Sequence, residues 1–122
     1  MPEMQKLIIR NDDVSVDTDF ELLRAFCDLC DDYGHKIIQG ITPVGMTLPV
    51  RAAAGNDDIL FESGSRLFIE NVIVHEYLLR RNDLIGVHGL WHTHVPRPEE
   101  ISVATWLLTD WGFYPEYFVC PF

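Results

Sequence analysis

Three of the five histidines fall within seven residues, His88-Gly-Leu-Trp-His92-Thr-His94. Imidazole is the commonest nitrogen ligand for zinc and related ions. A catalytic zinc site takes three protein ligands and leaves one position open. Two of these histidines and one carboxylate would complete such a set. Asp12-Asp13, directly after the apolar run Leu7-Ile8-Ile9, offers that carboxylate and a spare. The spare could act as the base that takes a proton from an activated water. A single histidine beside an apolar run is ordinarily a hydrogen-bonded structural residue, and an Asp pair is ordinarily a solvated turn. Three histidines in so short a span, and a pair placed at a strand end, set these residues apart.

The elements that must position them follow from periodicity. Leu7-Ile8-Ile9 is a short apolar run of the buried-strand type, ending in a loop at Asn11-Asp12-Asp13. Residues 18–33 form the best helix. Asp17 or Thr18 can cap it, Glu21 completes a capping box, and Gly34 ends it. Its apolar stripe is expected to be Leu22, Leu23, Phe26, Leu29, Cys30 and Tyr33. Lys36 to Thr42 is a second strand. Residues 43–64, with two prolines and three glycines, are a long connection or surface insertion. A helical period returns from Leu67 to Arg81, with Phe68, Val72, His75 or Glu76, and Leu79 on its inner face. Leu84 to Val87 is a third strand. Pro98-Glu99-Glu100 opens a helix that ends near Gly112, and Tyr117-Phe118-Val119 is a fourth strand. Strands alternating with helices imply a parallel α/β sheet. Active sites of such sheets gather at the C-terminal ends of the strands, where the Asp pair and the histidine cluster both lie.

Composition bounds the partners. The 122 residues make one domain. Nine basic against nineteen acidic residues give a formal charge of −10, which argues against nucleic acid and anionic membranes. No stretch approaches the ~20 apolar residues of a membrane helix. The N-terminal residues carry no signal-peptide pattern, and three cysteines make no disulfide framework, so a reducing cytoplasm is expected. Cys27 and Cys30 form a C-x-x-C within the first helix, where packing is their expected role.

The segment Leu7-Ile8-Ile9-Arg10-Asn11-Asp12-Asp13-Val14 resembles the first motif of the NodB-type polysaccharide deacetylases, an apolar strand ending in two aspartates. His88-Gly89-Leu90-Trp91-His92 resembles their His-x-x-x-His motif. Gly112-Phe-Tyr-Pro115-Glu-Tyr-Phe118-Val-Cys-Pro121-Phe122 is similar to their third motif region. The three stand in the family's order and together span nearly the whole chain. The resemblance implies a partial (βα) barrel with about four parallel strands and flanking helices. It implies a metal-dependent hydrolase that removes an acetyl group from an N- or O-acetylated carbohydrate. Asp12 would be the catalytic base. Asp13, His88 and His92 would hold a divalent metal, zinc being the expected one. The backbone N–H of Phe122 would help stabilise the oxyanion, with Trp91 and His94 on the substrate side and His94 a possible acid.

The chain departs from the family in two respects. The arginine of the third motif, which orients the base aspartate, aligns with Val119, and its first proline with Cys120. The family's later motifs, including the histidine acting as general acid, have no counterpart. The chain is then either a fragment of a longer protein, lacking the C-terminal half of the family barrel, or a half-barrel completed by a second chain, and under the latter a homo-oligomer is expected.

Two other readings remain. Gly86, five residues, His92-Thr-His94, four residues and Glu99 resemble the first metal motif of cupins, whose barrels are all-β. Under it His92, His94 and Glu99 are the ligands of a metal-binding protein or oxygenase. The third reading is a non-catalytic, sugar-binding remnant of the deacetylase fold. Trp91, Trp106 and Trp111 could stack on sugar faces there, although tryptophans at these spacings are ordinarily core residues.

Overall fold

The computed structural model describes residues 7–45, 66–91 and 97–120. Strand β1 is Ile8–Val14, helix α1 Phe20–Asp32 and strand β2 Lys36–Ile41. Two short strands follow, β3 at Val44–Gly45 and β4 at Arg66–Leu67, and a 3-10 turn at Phe68–Glu70. Helix α2 is Val72–Arg80, strand β5 Leu84–Val87, helix α3 Pro98–Asp110 and strand β6 Pro115–Phe118.

The main sheet has the order β1-β2-β5-β6, and every neighbouring pair is parallel. β3 and β4 form a separate antiparallel ribbon. The fold is therefore α/β with a four-stranded parallel sheet, as the alternation implied. A cupin's double-stranded β barrel has no place for this sheet. Gly86 lies inside β5 and Glu99 in the first turn of α3, so the cupin ligand set loses its frame.

Each strand sits beside the preceding one in sheet order. Right-handed crossovers then carry the helices to one face. Burial agrees, for Ile37, Gln39 and Ile41 of β2 and Ile85 and Val87 of β5 are all buried. On the opposite face, Ile8 is 53% and Tyr117 43% exposed.

Local chemistry explains the helix ends. Asp19, rather than Asp17 or Thr18, caps α1, its Oδ1 accepting from Leu22 N at 3.0 Å. Thr18 is occupied elsewhere, its Oγ1 accepting from Ser15 N. Gly34 ends the helix at φ +69°, and His35 N donates to Cys30 O across the turn. The buried face of α1 is Leu23, Cys27 and Cys30; Leu22, Leu29 and Tyr33, expected inside, are exposed. Burial pushes both thiols above their ordinary pKa, which fits packing rather than redox chemistry.

Helix α2 starts later than expected, with Asn71 as its cap. Its core residues are Val74 and Leu78, whereas Val72 and Leu79 face outward. Most of the 43–64 connection lies outside the described residues.

A polar chain crosses the helix-covered face. Asn11 Nδ2 donates to Gln39 Oε1 at 2.9 Å, and Gln39 Nε2 donates to Asp83 Oδ2 at 3.0 Å. Arg81 Nε donates to Asp83 Oδ2 and its two Nη atoms grip Asp31. The Arg81 guanidinium holds the Asp31 carboxyl below the ordinary carboxylate range. Among the described residues no helix is long and apolar enough to cross a membrane.

Candidate functional site

β1 does not end at Asn11 but continues through the aspartates to Val14. Asn11 pairs with Gln39 and Val14 with Ile41, so Asp12 and Asp13 together face only Gly40. This is a bulge, with two residues opposite one, and a bulge re-aims side chains at a sheet rim. Asp13 takes φ +66°, the left-handed region that a non-glycine residue enters at a cost of about 1–3 kcal/mol. Aspartate is among the non-glycine residues that enter this region most readily. Thr42 N donates to Val14 O at 2.8 Å and closes the far side of the bulge.

The bulge brings Asp13 to His88, the residue following β5. His88 Nε2 stands 2.9 Å from Asp13 Oδ1. The imidazole is buried, 1% exposed, while the Asp13 side chain is 70% exposed. The other ring nitrogen is fixed from beneath: His88 Nδ1 donates to Val119 O at 2.9 Å. Backbone bonds clamp the residue further. His88 N donates to Ile41 O, and Thr42 Oγ1 donates to His88 O. Val119 N donates to Val87 O at 2.8 Å, tying the acceptor carbonyl to β5.

This hydrogen-bond logic tests whether the residues suit a cation. A carbonyl oxygen only accepts, so the Nδ1 proton is committed to Val119. A neutral imidazole then turns the lone pair of Nε2 toward the carboxylate oxygen, acceptor against acceptor. That approach needs a proton or a cation between the two atoms. Two donors bound to one tetrahedral ion at about 2.1 Å stand about 3.4 Å apart. The observed 2.9 Å is a hydrogen-bond separation, so the two side chains would part by about half an ångström to admit an ion. Metal-ligating histidines also characteristically donate their second N–H to a backbone carbonyl, as here. The pair sets one nitrogen and one oxygen side by side, donor types that a divalent ion takes. Among the described residues, no group of three or more His, Cys, Asp or Glu is arranged to hold a metal. His92, the expected third ligand, lies outside the described residues, as do His94 and Phe122.

Asp12 sits beside this pair. A Cβ at Gly40 would touch Asp12 Cα at 3.6 Å and His88 Cβ at 3.5 Å, so Gly40 separates the two. Arg10 Nη2 donates to Asp12 Oδ2 at 3.0 Å, and Arg10 Nε stands 2.9 Å from Asp12 Oδ1. A cleft of about 300 Å³ opens alongside, lined by Asp12, Asp13, Thr18, Asp19, Leu22 and Phe26. Larger clefts lie at the other end of the sheet, near Lys36 and Asp83, and His88 lines neither.

Trp91 is not available to a substrate. It is 1% exposed, and its Nε1 donates to the buried Glu100 at 3.1 Å. Trp111 is also buried, whereas Trp106 is exposed. Two contributors escaped the sequence reading. Arg10 shares a strand face with Asp12 by the two-residue period, a signal that was present. The Val119 carbonyl gave none, since a backbone acceptor leaves no mark on residue type.

Comparison of the chain with protein-family models, with curated proteins and with solved structures returned no match.

Proposed function

We propose that this chain is a metal-dependent hydrolase that removes an acetyl group from an N- or O-acetylated carbohydrate, within a partial barrel of the NodB type. The observation that carries the reading is the His88 tautomer. With Nδ1–H committed to the Val119 carbonyl, the lone pair of Nε2 is turned toward Asp13 Oδ1 at 2.9 Å, a nitrogen and an oxygen ligand atom side by side. The acetylated carbohydrate rests on the motif resemblance.

Asp13 and His88 would hold the ion, with His92 as third ligand, and zinc is the expected metal for this donor set. When bound, a divalent ion supplies Lewis-acid polarisation of the acyl carbonyl and acidifies water. The chain's residues do the rest. Asp12 takes the proton of the attacking water. Arg10 keeps the Asp12 carboxylate in place, and Val119 keeps the His88 ring in place. Donation to the oxyanion is assigned to the Phe122 backbone N–H, and proton delivery to the departing nitrogen or oxygen is assigned to His94. Breaking the C–N or C–O bond releases acetate and leaves the sugar amine or hydroxyl.

The sheet also supports association of two copies. Among the described residues nothing pairs with the outer sides of β1 and β6. Parallel sheets ordinarily have both faces covered. Two four-stranded sheets joined edge to edge would close eight strands, the number of a (βα) barrel.

Acetate release tests the activity. Zinc-loaded protein with tetra-N-acetylchitotetraose should release acetate, and Asp12→Asn should lose at least ~100-fold of the rate. Equal rates in the two proteins would remove Asp12 from the chemistry. A zinc-binding wild type that hydrolyses neither amide nor ester probes would favour the non-catalytic, sugar-binding reading.

A further inference from the structure

We propose that Arg10 is a positioning residue for Asp12, fixing the plane and direction of the carboxylate that receives the water proton. The proposal rests on the hydrolase reading above and deepens it.

The argument begins with what the bulge takes away. Asn11 and Val14 are in register with β2, but Asp12 and Asp13 are not. The ladder therefore stops holding the backbone just where the base must be held most accurately. Asp13 has His88 as an anchor. Asp12 has Arg10. Among the described residues, Arg10 is the only side chain that hydrogen-bonds or ion-pairs with the Asp12 carboxylate.

The contact is one hydrogen bond and one ion-pair approach, with Asp12 Oδ1 buried and accepting no hydrogen bond among the described residues. Nη2 donates to Oδ2 at 3.0 Å while Nε stands 2.9 Å from Oδ1. A single contact would leave the carboxylate free to turn about its Cβ–Cγ bond. A guanidinium that bonds Oδ2 and stands charge to charge against Oδ1 opposes that rotation. Placement is built into the strand. Residues 10 and 12 project from the same face, so the guanidinium reaches the carboxylate without crossing the sheet.

The alternative is an ordinary surface ion pair. The side chains are 57% and 32% exposed, and such pairs add little to stability. The two roles differ in what they predict. A surface pair is dispensable for both folding and rate. A positioning residue is dispensable for folding and for metal binding, but not for rate, because misplacing a catalytic group by about 1 Å can lower a rate about 100-fold.

Arg10→Gln, Arg10→Lys and Arg10→Ala would be compared with wild type as full chains. The readouts are melting temperature, zinc per chain and steady-state acetate release from tetra-N-acetylchitotetraose. The expected result is unchanged melting and zinc content. In Arg10→Gln, kcat should fall about 10–100-fold with KM within about twofold. Arg10→Lys, which keeps the charge and loses the fork, should lie between. Free guanidinium at millimolar concentration should recover a large part of the Arg10→Ala loss, an effect that a merely structural role would not produce. Arg10→Gln turning over at the wild-type rate would overturn the role of Arg10 and leave the hydrolase reading standing. So would a loss in Arg10→Ala that guanidinium does not restore. No acetate release from zinc-loaded wild type would overturn the hydrolase reading, and this proposal with it.

Discussion

Gly86 is the position where packing and the candidate site are most directly coupled. It lies in β5 opposite Tyr117 of β6. A Cβ there would stand 2.7 Å from Val119 Cγ2 and 3.4 Å from Ile38 Cγ2. Relaxed carbon contacts lie at about 3.5–4.0 Å, so one partner must move about 1 Å. Val119 cannot turn aside freely. It is 3% exposed, its N–H is bound to Val87 O, and its carbonyl holds His88 Nδ1. Overpacking of this kind costs about 1–3 kcal/mol. Alanine in place of glycine in a strand returns roughly 0.5–1 kcal/mol. Gly86→Ala should therefore cost about 0.5–2 kcal/mol. Val119→Ala removes two methyl groups at about 0.8 kcal/mol each and leaves a cavity, for about 2 kcal/mol. Independent effects would sum to about 2.5–4 kcal/mol. The double variant should cost only about 1–1.5 kcal/mol, because removing Cγ2 makes room for the new methyl. Urea unfolding followed by tryptophan fluorescence measures all four proteins. Zinc titration should show Gly86→Ala binding more weakly than the double variant, since the displaced carbonyl orients His88. Additive unfolding energies, within about 0.5 kcal/mol, would refute the packing argument.

Three further outcomes are expected. Gln39→Leu leaves Asn11 without its Oε1 acceptor and Asp83 without one donor, which should cost about 1–3 kcal/mol in urea unfolding. Asp31 is held below its ordinary pKa by Arg81, so its contribution is present above the unfolded carboxylate value near 3.9 and lost as pH falls through the folded value. The stability gap between wild type and Asp31→Asn should accordingly be constant from about pH 5 to 7 and close below pH 4, as a pH series of melting curves would show. Light scattering on a sizing column should give about twice the mass of the 122-residue chain, and a mass of one chain would oppose closure by a second copy.

The division between what the residues disclosed and what they concealed has physical causes. Local signals carried α1, whose end is set by Gly34, and β5, whose Leu-Ile-Gly-Val run is wholly buried or nearly so. The alternation of such elements was enough for the parallel sheet. β1 was cut short because Asn11-Asp12-Asp13 has the residue types of a loop. What keeps it in the sheet is pairing with Gln39 and Ile41, which no local rule contains. The inner face of α2 was misjudged because Val72, Ile73 and Val74 are consecutive and apolar, leaving no period to follow. In the site, residue type pointed to Asp12, Asp13 and His88, and the latter two meet. It misplaced Trp91, whose indole found Glu100 in the core. It could not reveal the bond from His88 to a carbonyl 31 residues away. Gln39, a polar residue within Ile37-Ile38-Gln39-Gly40-Ile41, takes its partners from three other segments, which no local rule contains.

The central claim is that Asp13 and His88 form two walls of one cation site. The most direct test is metal content per chain by plasma mass spectrometry after zinc loading and desalting. Wild type would be compared with Asp13→Asn, which tolerates the same left-handed backbone, and with His88→Ala and Glu99→Ala, each confirmed folded by circular dichroism. About one zinc per chain is expected in wild type and in Glu99→Ala, and almost none in Asp13→Asn and His88→Ala. Zinc retained by Asp13→Asn but lost on Glu99→Ala, or no zinc in folded wild type at all, would contradict the account.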